Sequence, residues 1–194
     1  MLKLTKRDQL WIGLALGLLM LVTRGQHVAA FAHPLPDASL AIFFLAGLYL
    51  RPTWIFGALF AEGLLIDLIA VTWGGVSGFC MSPAYLLLVP AYGAMWAGGR
   101  WYAGRHRFAW AALLPLIGCL LFAACTAELF ASGGFYLFSG RFADLSLVEF
   151  VDRLVRYFPA TLQALALYVG LAAIAHGAFA YARGVMRKGD LPAG

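Results

Sequence analysis

Long apolar runs separated by short polar stretches recur along the whole chain. Of its 194 residues, 63% are hydrophobic and only 12% are charged. A soluble globular domain carries many more charged residues on its surface than this composition provides. A run of about 20 mostly apolar residues is long enough to cross the hydrocarbon core of a bilayer as a helix. The sequence therefore predicts an integral membrane protein with a single membrane domain over residues 1–194.

Six candidate membrane-spanning runs can be counted, of which the second and fourth are short. They cover residues 10–23, 38–50, 54–72, 83–98, 108–132 and 159–182. We therefore expect an all-α protein with a six-transmembrane-helix bundle. The first run has an alternative interpretation as a cleaved signal peptide, because basic residues precede it and Ala30-Phe31-Ala32 follows it.

Basic residues predict the orientation of the helices, since cytoplasmic loops of membrane proteins are enriched in Lys and Arg. With the six runs threaded alternately, ten of the 14 Lys and Arg residues fall on the side that holds both termini. We therefore expect cytoplasmic N- and C-termini. The same bias explains the net charge of +5, so the charge gives no support to nucleic-acid binding.

The third run carries two acidic residues, Glu62 and Asp67. An ionisable group inside a bilayer is costly and usually has a partner or a function. Five residues along a helix turn these two side chains about 140° apart, so they cannot share one site. Asp67 lies in the outer third of the run. We expect it to contact a ligand or to bond to a neighbouring helix, and for the deeper Glu62 we favour the structural bond.

The loop over residues 73–83 contains three glycines and no charged residue. Glycine permits positive φ and close backbone approach, so such a loop can lie flat against a large planar ligand. Ser82-Pro83 is typical of an N-cap followed by a first-turn proline, which predicts that the fourth helix begins there. Cys80 then precedes a helix N-terminus, where a thiolate is favoured. It is a candidate nucleophile or soft-metal ligand, and an inert surface thiol is the alternative.

Three further residues on the predicted external side are candidate ligand contacts. His27 lies in the first external loop, and Tyr85 lies on the first turn of the fourth run. Residues 146–158 have an apolar and a charged stripe at helical spacing, which predicts a short interfacial helix before the last span. Arg153 on its charged stripe would lie near the mouth of the bundle. The alternatives are a solvated histidine, an interfacial tyrosine and a solvated helix face.

These features together are similar to those of a known family. Six short helices in about 190 residues, cytoplasmic termini, a polar external face and no nucleotide-binding motif resemble the substrate-binding S-components of energy-coupling factor (ECF) vitamin transporters. The loop over residues 74–83 with Cys80 resembles more closely the BtuM-type group. These are solitary S-components for cobalamin in Gram-negative bacteria.

The resemblance implies uptake of cobalamin (vitamin B12) across the bacterial inner membrane, with the Cys80 thiolate as an axial ligand of the cobalt. A soft thiolate suits cobalt, and loss of cyanide from bound cyanocobalamin is an expected side reaction. On this resemblance cobalamin would be the transported ligand, and we expect no intrinsic cofactor. The expected ligand contacts are Cys80, Asp67, Tyr85, His27, Arg153, Gly75, Gly78 and Phe79.

The sequence leaves alternatives for the energy source of transport and for the function of the protein. The sequence has no Walker motif, so uphill transport requires an ion gradient or another subunit such as a shared ECF energising module. An S-component for a different flat vitamin or precursor is one alternative function. A membrane scaffold is another, and it predicts that Cys80, Asp67 and Tyr85 point apart. A membrane enzyme has the least support, because no base is clearly placed beside Cys80.

Overall fold

The computed structural model describes residues 4–25, 35–75, 82–105, 112–142 and 145–189, with side chains up to residue 181. All regular structure in these ranges is helical, which confirms the predicted all-α class for this part of the chain. The helices are α1 Lys6–Arg24, α2 Ser39–Tyr49, α3 Trp54–Thr72, α4 Leu88–Ala103, α5 Leu113–Phe138 and α6 Leu147–Gly189. A 3₁₀ helix, Pro83–Leu87, leads directly into α4.

Three helices in the described ranges are long and apolar enough to cross a membrane. They are α3, α5 and the Leu147–Tyr181 part of α6. Helix α1 has a suitable length of 19 residues, but its first turn is charged and Arg24 ends it. Helix α2 has only 11 residues and is nevertheless strongly apolar. These properties are those of a helical membrane protein.

The helix bounds agree best with the apolar runs where turn residues flank them. Helix α3 covers residues 54–72, as predicted. Helix α1 begins before its apolar run because Thr5 and Asp8 form a capping box, with Asp8 N donating to Thr5 Oγ1 at 3.1 Å and Thr5 N donating to Asp8 Oδ2 at 3.0 Å. The start of α1 is therefore determined by its capping box and not by the start of the apolar run.

The prediction of a separate interfacial helix over residues 146–158 was wrong. Helix α6 is continuous for 43 residues and contains Pro159 in its interior. A proline removes only one intrahelical hydrogen bond, and helices in membrane proteins tolerate it when the flanking turns are supported. At 1.5 Å per residue α6 is about 65 Å long, roughly twice the hydrocarbon thickness. Part of α6 must therefore extend beyond the bilayer.

Helix α2 forms the centre of the bundle. Residues 41–47 are buried, and the Phe43 ring stacks on the Tyr92 ring of α4 with centroids 4.4 Å apart. Glycines bring α2 and α4 unusually close together. A Cβ atom on Gly47 would overlap the Trp96 carbonyl oxygen, and one on Gly99 would overlap the Phe44 carbonyl oxygen. This close packing fixes the position of α4 against the core.

The two ends of the bundle carry different polar groups. At one end, Arg51 N donates to Gln9 Oε1 at 3.1 Å, and Arg100 Nη2 donates to the Arg51 carbonyl at 2.7 Å. The last residue of α1, Arg24, lies at the opposite end with Asp67 of α3. The first four helices therefore alternate in direction, as the threading of the runs requires.

Replacing Gly99 with alanine should destabilise the protein by about 1–3 kcal/mol, because the new methyl group must displace backbone atoms of α2. Gly93 on the same helix has open space around its Cα, so Gly93→Ala is the matched control and should be neutral or slightly stabilising. The midpoint of thermal unfolding in detergent measures the stability of both variants. Equal midpoints for the two would contradict the close α2–α4 packing.

Candidate ligand-binding site

Arg24 is the centre of a polar network at one end of the bundle. Its guanidinium group forms a bidentate ion pair with Asp67 of α3, with Nε–Oδ1 and Nη2–Oδ2 distances of 2.7 and 2.6 Å. The Nη1 atom donates to Ser39 Oγ of α2 and to Tyr92 OH of α4, both at 2.8 Å. The side chains of Arg24 and Asp67 are only 13% and 18% exposed. One arginine thus joins α1 to three other helices.

The 3₁₀ helix brings Tyr85 to the same carboxylate. Tyr85 OH donates to Asp67 Oδ2 at 3.0 Å. The helix begins at Pro83 after Ser82 in an extended conformation, so the predicted start at Ser82-Pro83 is confirmed, although its first turns are 3₁₀. Asp67 and Tyr85, chosen from sequence for their depth and side, therefore belong to one site.

Asp37 extends the network towards the bundle end. Its Oδ1 atom accepts from Ser39 N at 3.0 Å and from Ser39 Oγ at 2.7 Å. Ser39 itself is buried, whereas Asp37 is exposed. We refer to Arg24, Asp37, Ser39, Asp67, Tyr85 and Tyr92 together as the Arg24 network.

A cavity of about 300 Å³ opens above this network. Its polar walls are Arg24, Asp37, Asp67 and Tyr85. Its apolar walls come from α3, the 3₁₀ helix, α4 and α5, and comprise Ala70, Val71, Ala84, Leu88, Ala131 and Phe135. Its volume lies at the lower end of the range found for small-molecule sites, so it can hold a small group but not a whole macrocycle.

The glycine-rich loop starts and ends beside this cavity. Ala70 and Val71 precede the loop, Ala84 and Tyr85 follow it, and all four line the cavity. Gly75 has a φ of 67°, a left-handed conformation that favours glycine. The predicted contacts Gly78, Phe79 and Cys80 lie outside the described residues, as does His27.

Arg153 does not line the cavity. It lies on α6, where its guanidinium carbon is 4.6 Å from the ring centroid of Phe142 and 5.5 Å from that of Tyr157. These cation–π contacts account for its position without a ligand. Its assignment as a ligand contact stays a prediction.

The other acidic groups of the bundle occupy different places. Glu62 lines a separate groove of about 820 Å³ between α1 and α3, so it does not share the Asp67 site, as expected. Glu128 of α5 is buried and accepts hydrogen bonds from Ser132 Oγ and from Thr161 Oγ1 of α6. No cluster of three or more His, Cys, Asp or Glu side chains suited to a metal occurs in the described ranges.

The two cysteines of α5 are also separate from the cavity. Cys119 Sγ donates to the Gly98 carbonyl at 3.2 Å, and Cys125 is exposed on the helix surface. Cys119 is half-buried, and neither cysteine lines the cavity. Cys125 therefore provides a natural control for Cys80.

No protein-family model matches the chain, and a comparison with curated proteins found no match.

Arg24 was not predicted as a site residue. Alternate threading of the runs places it on the external side, where it was only one of the basic residues. A signal was nevertheless present, because Asp67 at the outer end of α3 requires a cation at the same depth. Arg24, the last residue of α1, meets that requirement once the helices alternate in direction.

Replacing Arg24 with methionine should destabilise the protein by about 3 kcal/mol, because it leaves the carboxylate of Asp67 without its buried partner. Arg156→Met is the matched control. Arg156 pairs with Asp152 at 3.6 Å, but both side chains are about 70% exposed, so its loss should cost less than about 1 kcal/mol. Denaturant unfolding in detergent measures the free energy of unfolding of both variants. A similar decrease for the two would contradict a structural role for the Arg24–Asp67 pair.

Proposed function

We propose that this protein is a cobalamin-binding S-component that takes up the vitamin across the bacterial inner membrane. The observation that carries the proposal is the meeting of two features at one end of the bundle. The uncharged, glycine-rich loop that contains Cys80 begins and ends at the walls of a polar cavity. A flat metallocycle needs both an uncharged surface for its face and polar groups for its substituents.

Cys80 is the proposed axial ligand of the cobalt. It precedes Ser82 by only two residues, and Ser82 directly precedes the 3₁₀ helix that carries Tyr85 into the cavity wall. A thiolate is a soft ligand that suits cobalt. In this proposal the corrin ring covers the loop, and one of its polar substituents enters the cavity beside Asp67 and Tyr85.

The proposed topology has six spans and cytoplasmic termini. The bundle end with Lys6, Arg51 and Arg100 would face the cytoplasm, in keeping with the enrichment of basic residues there. The cavity would then open to the external side, from which the vitamin arrives. Transport energy would come from an ion gradient or from a shared ECF module, because the chain has no Walker motif.

The convergence of Asp67 and Tyr85 favours a binding protein over a scaffold. A scaffold predicts that Asp67 and Tyr85 point apart, yet the Tyr85 hydroxyl lies 3.0 Å from Asp67 Oδ2 and both residues line the cavity. Buried polar groups that are expensive to maintain in a membrane protein are typical of functional sites.

Replacing Cys80 with alanine should abolish cobalt ligation and weaken cobalamin binding by more than about 100-fold, since even residues that only orient a metal ligand contribute 10–100-fold. Cys125→Ala is the control and should bind as the unmodified protein does. The measurements are the amount of corrinoid that co-purifies and its visible spectrum.

Two outcomes would contradict the proposal in different ways. Undiminished binding with an unchanged spectrum in Cys80→Ala would exclude thiolate ligation. Failure of the unmodified protein to bind cobalamin, together with a raised thermal midpoint on addition of another vitamin, would instead identify an S-component for that vitamin.

A further inference from the structure

The charges around the cavity do not balance. Arg24 is its only basic wall residue among the described residues, whereas Asp37 and Asp67 are both acidic. The walls therefore carry a net charge of −1. A ligand group that enters this cavity therefore meets more negative than positive formal charge on the walls, although the chain as a whole has a net charge of +5.

Arg24 has few unused N–H groups with which to bind an anion. A guanidinium group has five N–H donors, and four of them are used within the Arg24 network, two by Asp67 and one each by Ser39 and Tyr92. One N–H on Nη2 has no acceptor among the residues that the structure describes. The arginine thus neutralises Asp67 and positions it, and a bidentate contact to a carboxylate or phosphate of a ligand is closed to it.

Among the polar atoms of the cavity walls that can form a further hydrogen bond, acceptors outnumber donors. Asp67 Oδ1 accepts one hydrogen bond, from Arg24 Nε, and can accept another. The Tyr85 oxygen donates its proton to Asp67 and can itself accept. Asp37 Oδ2 has no donor among the described residues, because the bonds from Ser39 go to Oδ1.

We propose that this cavity selects an uncharged N–H donor, a primary carboxamide, and rejects a carboxylate at the same position. The carboxamide nitrogen would donate to Asp37 or Asp67, and its oxygen would accept the remaining N–H of Arg24. A carboxylate would have no proton to donate and would face two like charges. The proposal rests on the proposed function, and it adds the chemical specificity of one subsite.

The test compares cobalamin with its monocarboxylic acids, in each of which one peripheral carboxamide has been hydrolysed. In the proposed complex one substituent occupies the cavity, so the acid at one ring position should bind about tenfold more weakly than cobalamin. The acids at other positions should bind within about twofold. Dissociation constants come from titrations that follow the visible spectrum, which reports cobalt ligation in the same experiment.

A charge-removing variant identifies the cavity as the source of this selectivity. Asp37→Asn keeps an oxygen acceptor for Ser39 and leaves the Arg24–Asp67 pair intact, yet it brings the wall charge to zero. The tenfold discrimination should fall to about twofold. Asp152→Asn, on the exposed surface of α6, removes the same charge elsewhere and should leave the discrimination unchanged. Each discrimination is the ratio of the dissociation constants of an acid and of cobalamin for the same protein. A general loss of stability affects both constants and therefore does not change the ratio.

The outcomes separate the two proposals. If cobalamin binds with a thiolate spectrum but every acid binds within twofold of it, the carboxamide subsite is wrong and the proposed function stands. Tighter binding of an acid would make Arg24 an anion receptor and would also overturn the subsite. If cobalamin itself does not bind, the proposed function fails and the subsite fails with it.

Discussion

The bidentate contact between Arg24 and Asp67 is the interaction on which the site depends. Charged groups within a membrane protein must satisfy their hydrogen bonds internally, because no water is present in the hydrocarbon core to do so. Arg24 meets this requirement with partners from α2, α3 and α4. Helix α1 packs against α2 and α3, and this network fixes its end. The same bonds determine where the Asp67 carboxylate faces the cavity.

This polar network is held in place by an apolar core directly beneath it. Gly47 and Gly99 allow α2 and α4 to approach until backbone meets backbone, and the stacked rings of Phe43 and Tyr92 fill the space between the helices. Ser39 and Tyr92 belong to these same two helices. Their hydroxyl groups are therefore positioned by close packing, and Arg24 is positioned by their hydroxyl groups.

The sequence is informative where one local signal decides the structure. Residues 54–72 are bounded by Pro52-Thr53 and Trp73-Gly74, and α3 has those bounds. Asp67 and Tyr85 could be assigned to one end because alternate threading puts them there. The continuity of α6 could not be predicted, since a proline usually marks a helix boundary and Pro159 instead lies inside α6. Arg24 was missed because a pair 43 residues apart in sequence leaves no local pattern.

The separation of charge from the glycine-rich loop has a physical advantage for a site of the proposed kind. Binding a ligand removes water from the groups that it covers, and an unpaired charge would make that step costly. Arg24 and Asp67 are already paired and mostly buried before any ligand arrives, so much of their desolvation cost belongs to folding. The loop over residues 73–83 has no charged side chain to desolvate. In the proposed complex a flat ligand would therefore cover the loop at low cost, while one substituent would meet oriented hydrogen-bonding groups in the cavity.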